Sequence, residues 1–246
     1  MSPRGRPGMT FGVPPFTRGV KWLCIATLAV SLLVAVMGES GNALARQVAF
    51  IPEETWHGKI WTPLTYTFLN PDPLGLLFAL LGLWLLGASL EQRWGTRRFV
   101  TFYLLTGAAG AVATALVALA SPRVMQHAYF GNWSSLEGLI AAFAVLMPDA
   151  QIFLYFIPVP ARWMLPISAG ITVVFMIMGR WTDYLPQLFG LGAGVLFAGG
   201  HPPRNLLLRM KVWWIDRRLR RSKLRVVRKE NDPFGKPGRG SDKYLH

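Results

Sequence analysis

Residues 132–137 read Asn-Trp-Ser-Ser-Leu-Glu and lead directly into the apolar run 138–148. Two kinds of chemistry are conceivable there. Ser134 and Ser135 carry hydroxyls at the mouth of an apolar segment, but a serine is a weak nucleophile until an adjacent base takes its proton. Glu137 places a carboxyl one turn further in, where insertion of a charge costs roughly 2.5–3.5 kcal/mol and by default marks a cavity or a pairing site. The usual base for a serine is histidine, and the chain has His57, His127, His201 and His246. His57 and His127 fall between apolar runs, and His201 follows the last of them. No nucleophile–base pair can be assembled from these positions without a loop folding inward. Cys24 is the single cysteine, which excludes an internal disulfide framework and a cysteine-based metal site. No metal-ligand spacing, phosphate-cradling glycine loop or nucleotide motif occurs, so no metal and no cofactor are expected.

The elements that must position these residues read as membrane helices. Hydrophobic residues make up 52% and charged residues 15% of the chain, against roughly 25% charged in soluble domains. Six runs, 22–38, 73–90, 99–122, 138–148 with its polar lead-in, 163–179 and 184–200, approach the roughly 17–25 residues a spanning helix needs. A soluble protein would have to hide all six behind very little charge. The first run lacks a convincing small-x-small cleavage site and reads as a span, not a signal peptide. The expected class is an all-α polytopic membrane protein with six transmembrane helices.

Charge supplies an orientation. Of the net +14, residues 1–21 hold +4 with no acid, residues 204–246 hold fourteen bases against four acids, and the stretch between balances eight with eight. The positive-inside rule puts both basic ends in the cytoplasm, as an even number of spans requires. The expected organisation is a disordered basic lead at 1–21, a membrane domain at 22–200, a basic amphipathic segment at 201–229 and a disordered tail at 230–246, in the plasma (inner) membrane. Segment 201–229 interleaves Lys and Arg with tryptophan. Attached to a span, it reads as an anchor on anionic lipid, at about 1 kcal/mol per base, in preference to a nucleic-acid surface. The outer loop at 39–72 carries Trp56, Trp61, Tyr66 and Phe68 and suits the headgroup region. In the loop at 149–162, two prolines forbid continuous helix. Gly82, Gly87, Gly107, Gly110, Gly190, Gly192 and Gly194 recur at helical spacing, which permits close backbone approach in a membrane.

Several separated segments, in order, resemble the rhomboid intramembrane serine proteases. Residues 58–69, GKIWTPLTYTFL, resemble the stretch before that family's second span. Residues 75–107 keep the spacing of Gly87, Glu91 and Gly95 followed by Arg97-Arg98-Phe99, residues 138–163 are similarly close, and Gly190 with Gly194 fits the glycine pair of the sixth helix. The resemblance implies a six-helix bundle around a short, recessed fourth helix. In that family a serine opening the fourth helix is activated by a histidine of the sixth, and His and Asn side chains of the second stabilise the oxyanion.

The resemblance departs at the chemistry. Counting back from Gly190 puts the base position at Gln187, an amide with no useful basicity near neutral pH. The oxyanion positions fall on Gly75 and Ala79, and an upstream family histidine is replaced by Asn70. Losing one such donor costs about 10²–10³ in rate. Counting from 130–132 aligns Ser134 with the nucleophile, whereas counting back from Phe143 and Pro148 aligns Trp133. One residue is about 100° of helix, so the two registers aim different side chains at the centre.

The sequence therefore points to a rhomboid-like pseudoprotease that binds transmembrane segments of client proteins, with Asn132, Trp133, Ser134, Glu137 and Gln187 lining a hydrated pocket. The alternative is an active intramembrane serine endopeptidase using Ser134 and a non-standard base. Glu137 has two readings of its own, as a member of that pocket or as a carboxyl satisfied by water or by a bond inside the bundle. A transporter is disfavoured by the lack of inverted repeats. Membrane lipids and client helices are the expected partners, without nucleic acid or a small-molecule cofactor.

Overall fold

The computed structural model describes residues 15–154 and 157–199. Most of the expected N-terminal lead, the segment at 201–229, the tail at 230–246, His201 and His246 lie outside the described residues.

The chain opens with α1 (Arg18–Val36) and continues through α2 (Gly38–Val48), α3 (Pro52–Trp56) and α4 (Thr62–Thr65), the last running into a 3-10 turn at Tyr66–Phe68. The loop expected at 39–72 is thus built from short helices, two of which carry proline in the first turn, where its missing N–H is no loss. Next come α5 (Pro73–Trp94), α6 (Thr96–Ala118), α7 (Pro122–Met125) and α8 (Trp133–Leu146). Asp72 starts α5 by accepting the Gly75 N–H at 2.5 Å. Gly95, at φ 80°, ends it with a turn that a side chain would resist and passes the chain straight into α6.

Two strands, β1 (Gln151–Leu154) and β2 (Ile157–Pro160), pair antiparallel, so a small hairpin interrupts the expected all-helical pattern. Pro158 and Pro160 explain it: neither has an N–H to donate, and an outer strand tolerates that where a helix does not. A 3-10 turn at Ala161–Trp163 leads into α9 (Met164–Phe175), which loosens into a π-turn at Met176–Arg180. The described residues end with α10 (Leu185–Ala198).

Four helical stretches are long and apolar enough to cross a membrane: Arg18–Val36, Pro73–Trp94, Thr96–Ala118 and Ala161–Gly179. The other two predicted spans, α8 and α10, are apolar but 14 residues each, about 21 Å at 1.5 Å per residue against a hydrocarbon core of about 30 Å.

Despite its length, α8 is the centre of the fold. Nine of its residues are buried, including Leu139, Ala142 and Phe143, and it packs on α5, α6 and α10. The closest seam is with α10. A Cβ at Gly194 would lie 2.6 Å from the Gly138 backbone, and one at Gly190 would overlap Ser134. The four-residue glycine spacing therefore sets how near these backbones come. Gly192, two residues off that face, meets nothing within 4 Å. On the other side, Val20, Gly87 and Phe99 join α1, α5 and α6.

Glu91 ties the same three helices together. Buried near the end of α5, it accepts from the Gly19 N–H at 2.7 Å, the Val20 N–H at 2.9 Å, the Thr17 hydroxyl at 2.5 Å and the Thr96 hydroxyl at 2.6 Å. The first N–H groups of α1 have no helical partner, and a carboxylate there satisfies both the donors and the helix dipole. Arg93 does the complementary service for α8, donating to the Leu146 carbonyl at 3.3 Å.

Candidate functional site

The polar residues at the start of α8 face inward, towards α6 and α10. Ser134 is 1% exposed, and its hydroxyl donates to the Pro186 carbonyl at 2.7 Å, with the Thr106 carbonyl at 3.5 Å. Gly110 of α6 and Gly190 of α10 press on it from either side. Trp133, one residue earlier, is 39% exposed. Of the two registers, the structure therefore turns Ser134 into the bundle and Trp133 out of it.

The proton of Ser134 thus goes to a main-chain carbonyl, which cannot carry it away. Gln187 is half-buried at the start of α10, and the bond that Ser134 donates passes to its neighbour Pro186 instead. Tyr66 is a second hydroxyl close to Ser134, but its own proton is donated to the Gly107 carbonyl at 2.9 Å. Burial pushes the Tyr66 phenol above its ordinary pKa, and the Ser134 hydroxyl offsets only part of that, so Tyr66 offers no base. The described histidines are engaged elsewhere. His57 Nδ1 lies 2.7 Å from the Glu53 carbonyl on an exposed turn. His127 Nε2 is 3.2 Å from Asp183, its ring edge-on to Tyr129.

Around the head of α8 lies a cluster of buried polar atoms. Asn132 is fully buried at the N-cap position but caps nothing, and both its amide oxygen and its amide nitrogen lack a hydrogen-bond partner. Its neighbour is the Tyr103 hydroxyl, which faces it, and Asn70 at Nδ2 and Ser135 at Oγ are without a partner among the described residues, as is Thr27 at Oγ1 on α1. Asn70 lies against Gly131, and its N–H reaches Ser31 of α1 at 3.0 Å. Buried polar groups left unpaired cost about 1–3 kcal/mol each, so a concentration of them is unusual in an apolar bundle and makes the head of α8 the candidate site.

Of the residues expected to line a pocket, Asn132 and Ser134 belong to this cluster. Glu137 looks another way: its carboxylate accepts from the Ser168 hydroxyl of α9. Gly75 lies at the N-terminus of α5, where its N–H is already bonded to Asp72, and Ala79 is fully buried without a polar side chain. Neither supplies a side-chain donor.

Tyr103, Thr27 and Ser31 were not legible as site residues, because each is a lone polar side chain in an apolar run. The four-residue spacing of Thr27 and Ser31, which puts both on one face of α1, is the signal that would have found them. A separate cavity of about 340 Å³ lies between α1 and α5, lined by Phe16, Cys24, Leu28, Leu77, Leu81 and Trp84. Its walls suit an acyl chain and offer no reactive group apart from the Cys24 thiol.

Residues 21–197 match the family described as eukaryotic integral membrane protein (DUF1751). The chain belongs to that family, which is rhomboid-like. It is also 30% identical over 125 residues to Rhomboid protein 1, mitochondrial, of Saccharomyces cerevisiae, a match covering 48% of this chain and 35% of the yeast protein. The chain thus spans about a third of the length of that curated relative.

Proposed function

We propose that this integral membrane protein is a catalytically inactive member of the rhomboid-like group, a pseudoprotease that binds transmembrane segments of other membrane proteins without cutting them. The observation that carries the reading is the bond from the Ser134 hydroxyl to the Pro186 carbonyl at 2.7 Å, with an amide, Gln187, at the position the resemblance reserves for a base. A hydroxyl whose proton rests on a carbonyl attacks nothing. The lack of side-chain donors at Gly75 and Ala79 removes the complementary half of the mechanism.

On this reading α8 and α10 join the four full-length helices in a six-helix bundle, with both termini in the cytoplasm and the plasma (inner) membrane as its site. The short α8 leaves polar residues at bilayer depth, where a client helix can unwind in part, since irregular backbone is tolerated in a membrane where it meets polar groups or water. Asn132, Trp133, Ser134, Glu137 and Gln187 are the binding residues. The partners are membrane lipids and client transmembrane segments, and neither nucleic acid nor a cofactor takes part.

Two measurements test it together. The purified protein is treated with a serine-directed fluorophosphonate and incubated with single-span substrates, and the wild type is expected to remain unlabelled and to leave every substrate intact. Native-membrane co-purification is expected to return single-span proteins. Labelling of Ser134, or cleavage abolished by Ser134→Ala, would replace this reading with an active rhomboid-type endopeptidase using a non-standard base.

A further inference from the structure

We propose that Glu137 is the selector of the client: the segments this protein binds are those with a lysine or arginine inside their apolar stretch. The proposal rests on the segment-binding reading above and adds the chemistry of what is bound.

Two carboxylates lie within the apolar helices, Glu91 in α5 and Glu137 in α8, and their surroundings differ sharply. Glu91 is saturated by four donors from the starts of α1 and α6. Glu137 has one described hydrogen bond, from the neutral Ser168 hydroxyl, and no ion pair among the described residues. An ionised carboxylate offers about four acceptor sites, so most of its capacity is unspent. A structural carboxylate in a bilayer would be expected to look like Glu91. One held by a single hydroxyl is poised to exchange it.

The wall beside Glu137 points to where the exchange occurs. Ser168 is carried by α9, whose one buried residue is Thr172, while Ile167, Ile171 and Val174 are exposed. This is the least embedded of the long helices, and it presents an apolar face next to an under-used carboxylate. A second apolar helix laid along the edge of that face nearest Ser168 would bring its own side chains towards Glu137. A cation is the group that gains most from the meeting. A charge-assisted bond is roughly twice as strong as a neutral one, and a lone ammonium or guanidinium in hydrocarbon bears the same insertion penalty as the carboxylate. Pairing relieves both, whereas a hydroxyl-bearing segment would gain no more than Ser168 already provides.

The test uses the full chain reconstituted in phosphatidylcholine vesicles with synthetic Leu/Ala helices of about 23 residues, long enough to span, carrying a central Lys, Ser, Glu or Leu. Binding is read by energy transfer between labels. The Lys helix is expected to bind about tenfold tighter than the Leu and Ser helices, and the Glu helix weakest. Glu137→Gln, which can still accept from Ser168, is expected to erase the preference, so that the variant binds its Lys and Leu helices equally, and Glu137→Asp to retain part of it. Ser168→Ala leaves the carboxylate in place without its internal partner and is expected to bind the Lys helix at least as tightly as the wild type. Equal binding of Lys and Leu helices by the wild type overturns the inference while leaving segment binding intact. So does a Lys preference that survives Glu137→Gln. Failure of every helix to bind removes the segment-binding reading itself, and the selector with it.

Discussion

Replacing Glu91 by glutamine removes one charge and one acceptor from the point where α1, α5 and α6 meet. One carboxylate oxygen accepts from Gly19 N–H and the Thr96 hydroxyl, the other from Val20 N–H and the Thr17 hydroxyl. Whichever way the new amide is turned, its NH₂ faces a backbone N–H, Gly19 or Val20, that cannot rotate to become an acceptor. The hydroxyl on that side can adapt, but the peptide donor is orphaned, and the remaining bonds lose charge assistance. A hydrogen bond to a charged group contributes about 1.5–3 kcal/mol, and a carboxylate at a helix N-terminus adds about 0.3–1. We therefore expect Glu91→Gln to cost about 2–3 kcal/mol, which is roughly a 30- to 150-fold change in the equilibrium for lifting α1 from the bundle. Cys24 reports this directly. It is the single cysteine, it lies on α1 one turn beyond Val20, and it is half-buried against α5. Maleimide labelling of Cys24 in mild detergent should accelerate by a comparable factor and the midpoint of unfolding in dodecyl sulfate should fall. The control, Glu39→Gln on the exposed side of α2, should change neither. Labelling within about twofold of the wild type would show that α1 is held by side-chain packing alone and that the carboxylate clamp is dispensable.

Other substitutions separate the seam from its surroundings. Gly194→Ala puts a methyl 2.6 Å from the Gly138 backbone, which cannot swing aside, so α10 and α8 must part at a cost of about 1–3 kcal/mol. Gly192→Ala, with open space around it, should leave the melting temperature unchanged, and equal losses at both positions would contradict the seam. Tyr66→Phe removes the bond to the Gly107 carbonyl at 2.9 Å and should destabilise the protein by about 1 kcal/mol in chemical unfolding. His127→Ala breaks a half-exposed pair with Asp183. Its effect in the same assay should stay below about 1 kcal/mol, and a larger loss would give His127 a role beyond surface pairing.

Much of the membrane core was legible because hydropathy and helix length are local properties. The runs at 22–38, 73–90 and 99–122 correspond to α1, α5 and α6, and the continuation of α5 to Trp94 is understood once Glu91 is seen to be buried as a clamp instead of marking a solvated end. The start of α8 was harder. Asn132, Ser134 and Ser135 read as a polar lead-in to a span beginning at residue 138, yet the helix begins at Trp133 and buries the serines. Glycines on α6 and α10 make room for them, a fact held by residues 24 or more positions away in the chain. The choice between Ser134 and Trp133 had the same origin: it is a matter of helix rotation, which neighbouring helices decide. The partner of Glu137, Ser168, lies 31 residues on, and no spacing rule connects them. The hairpin at 151–160 was visible only as a pair of helix-breaking prolines.

The residues that carry the rhomboid resemblance prove to be those that hold backbones together. Glu91 fastens the first turn of α1, Gly95 turns α5 into α6, and Gly190 and Gly194 let α10 close on α8. None of these positions performs chemistry, and each would be needed whether or not a peptide bond were ever cut. The positions at which the resemblance expects chemistry hold Gly75, Ala79 and Gln187. The helix seams that would present a nucleophile are thus retained whatever stands at the positions that would activate it, so similarity of fold does not carry catalysis with it, and the proposed pseudoprotease reading needs no change of fold. The same seams hold the polar head of the 14-residue α8 inside the bundle, next to the weakly embedded α9. On the proposed reading, a bundle with that polar head needs no base: it meets the polar group of another helix that cannot satisfy it alone.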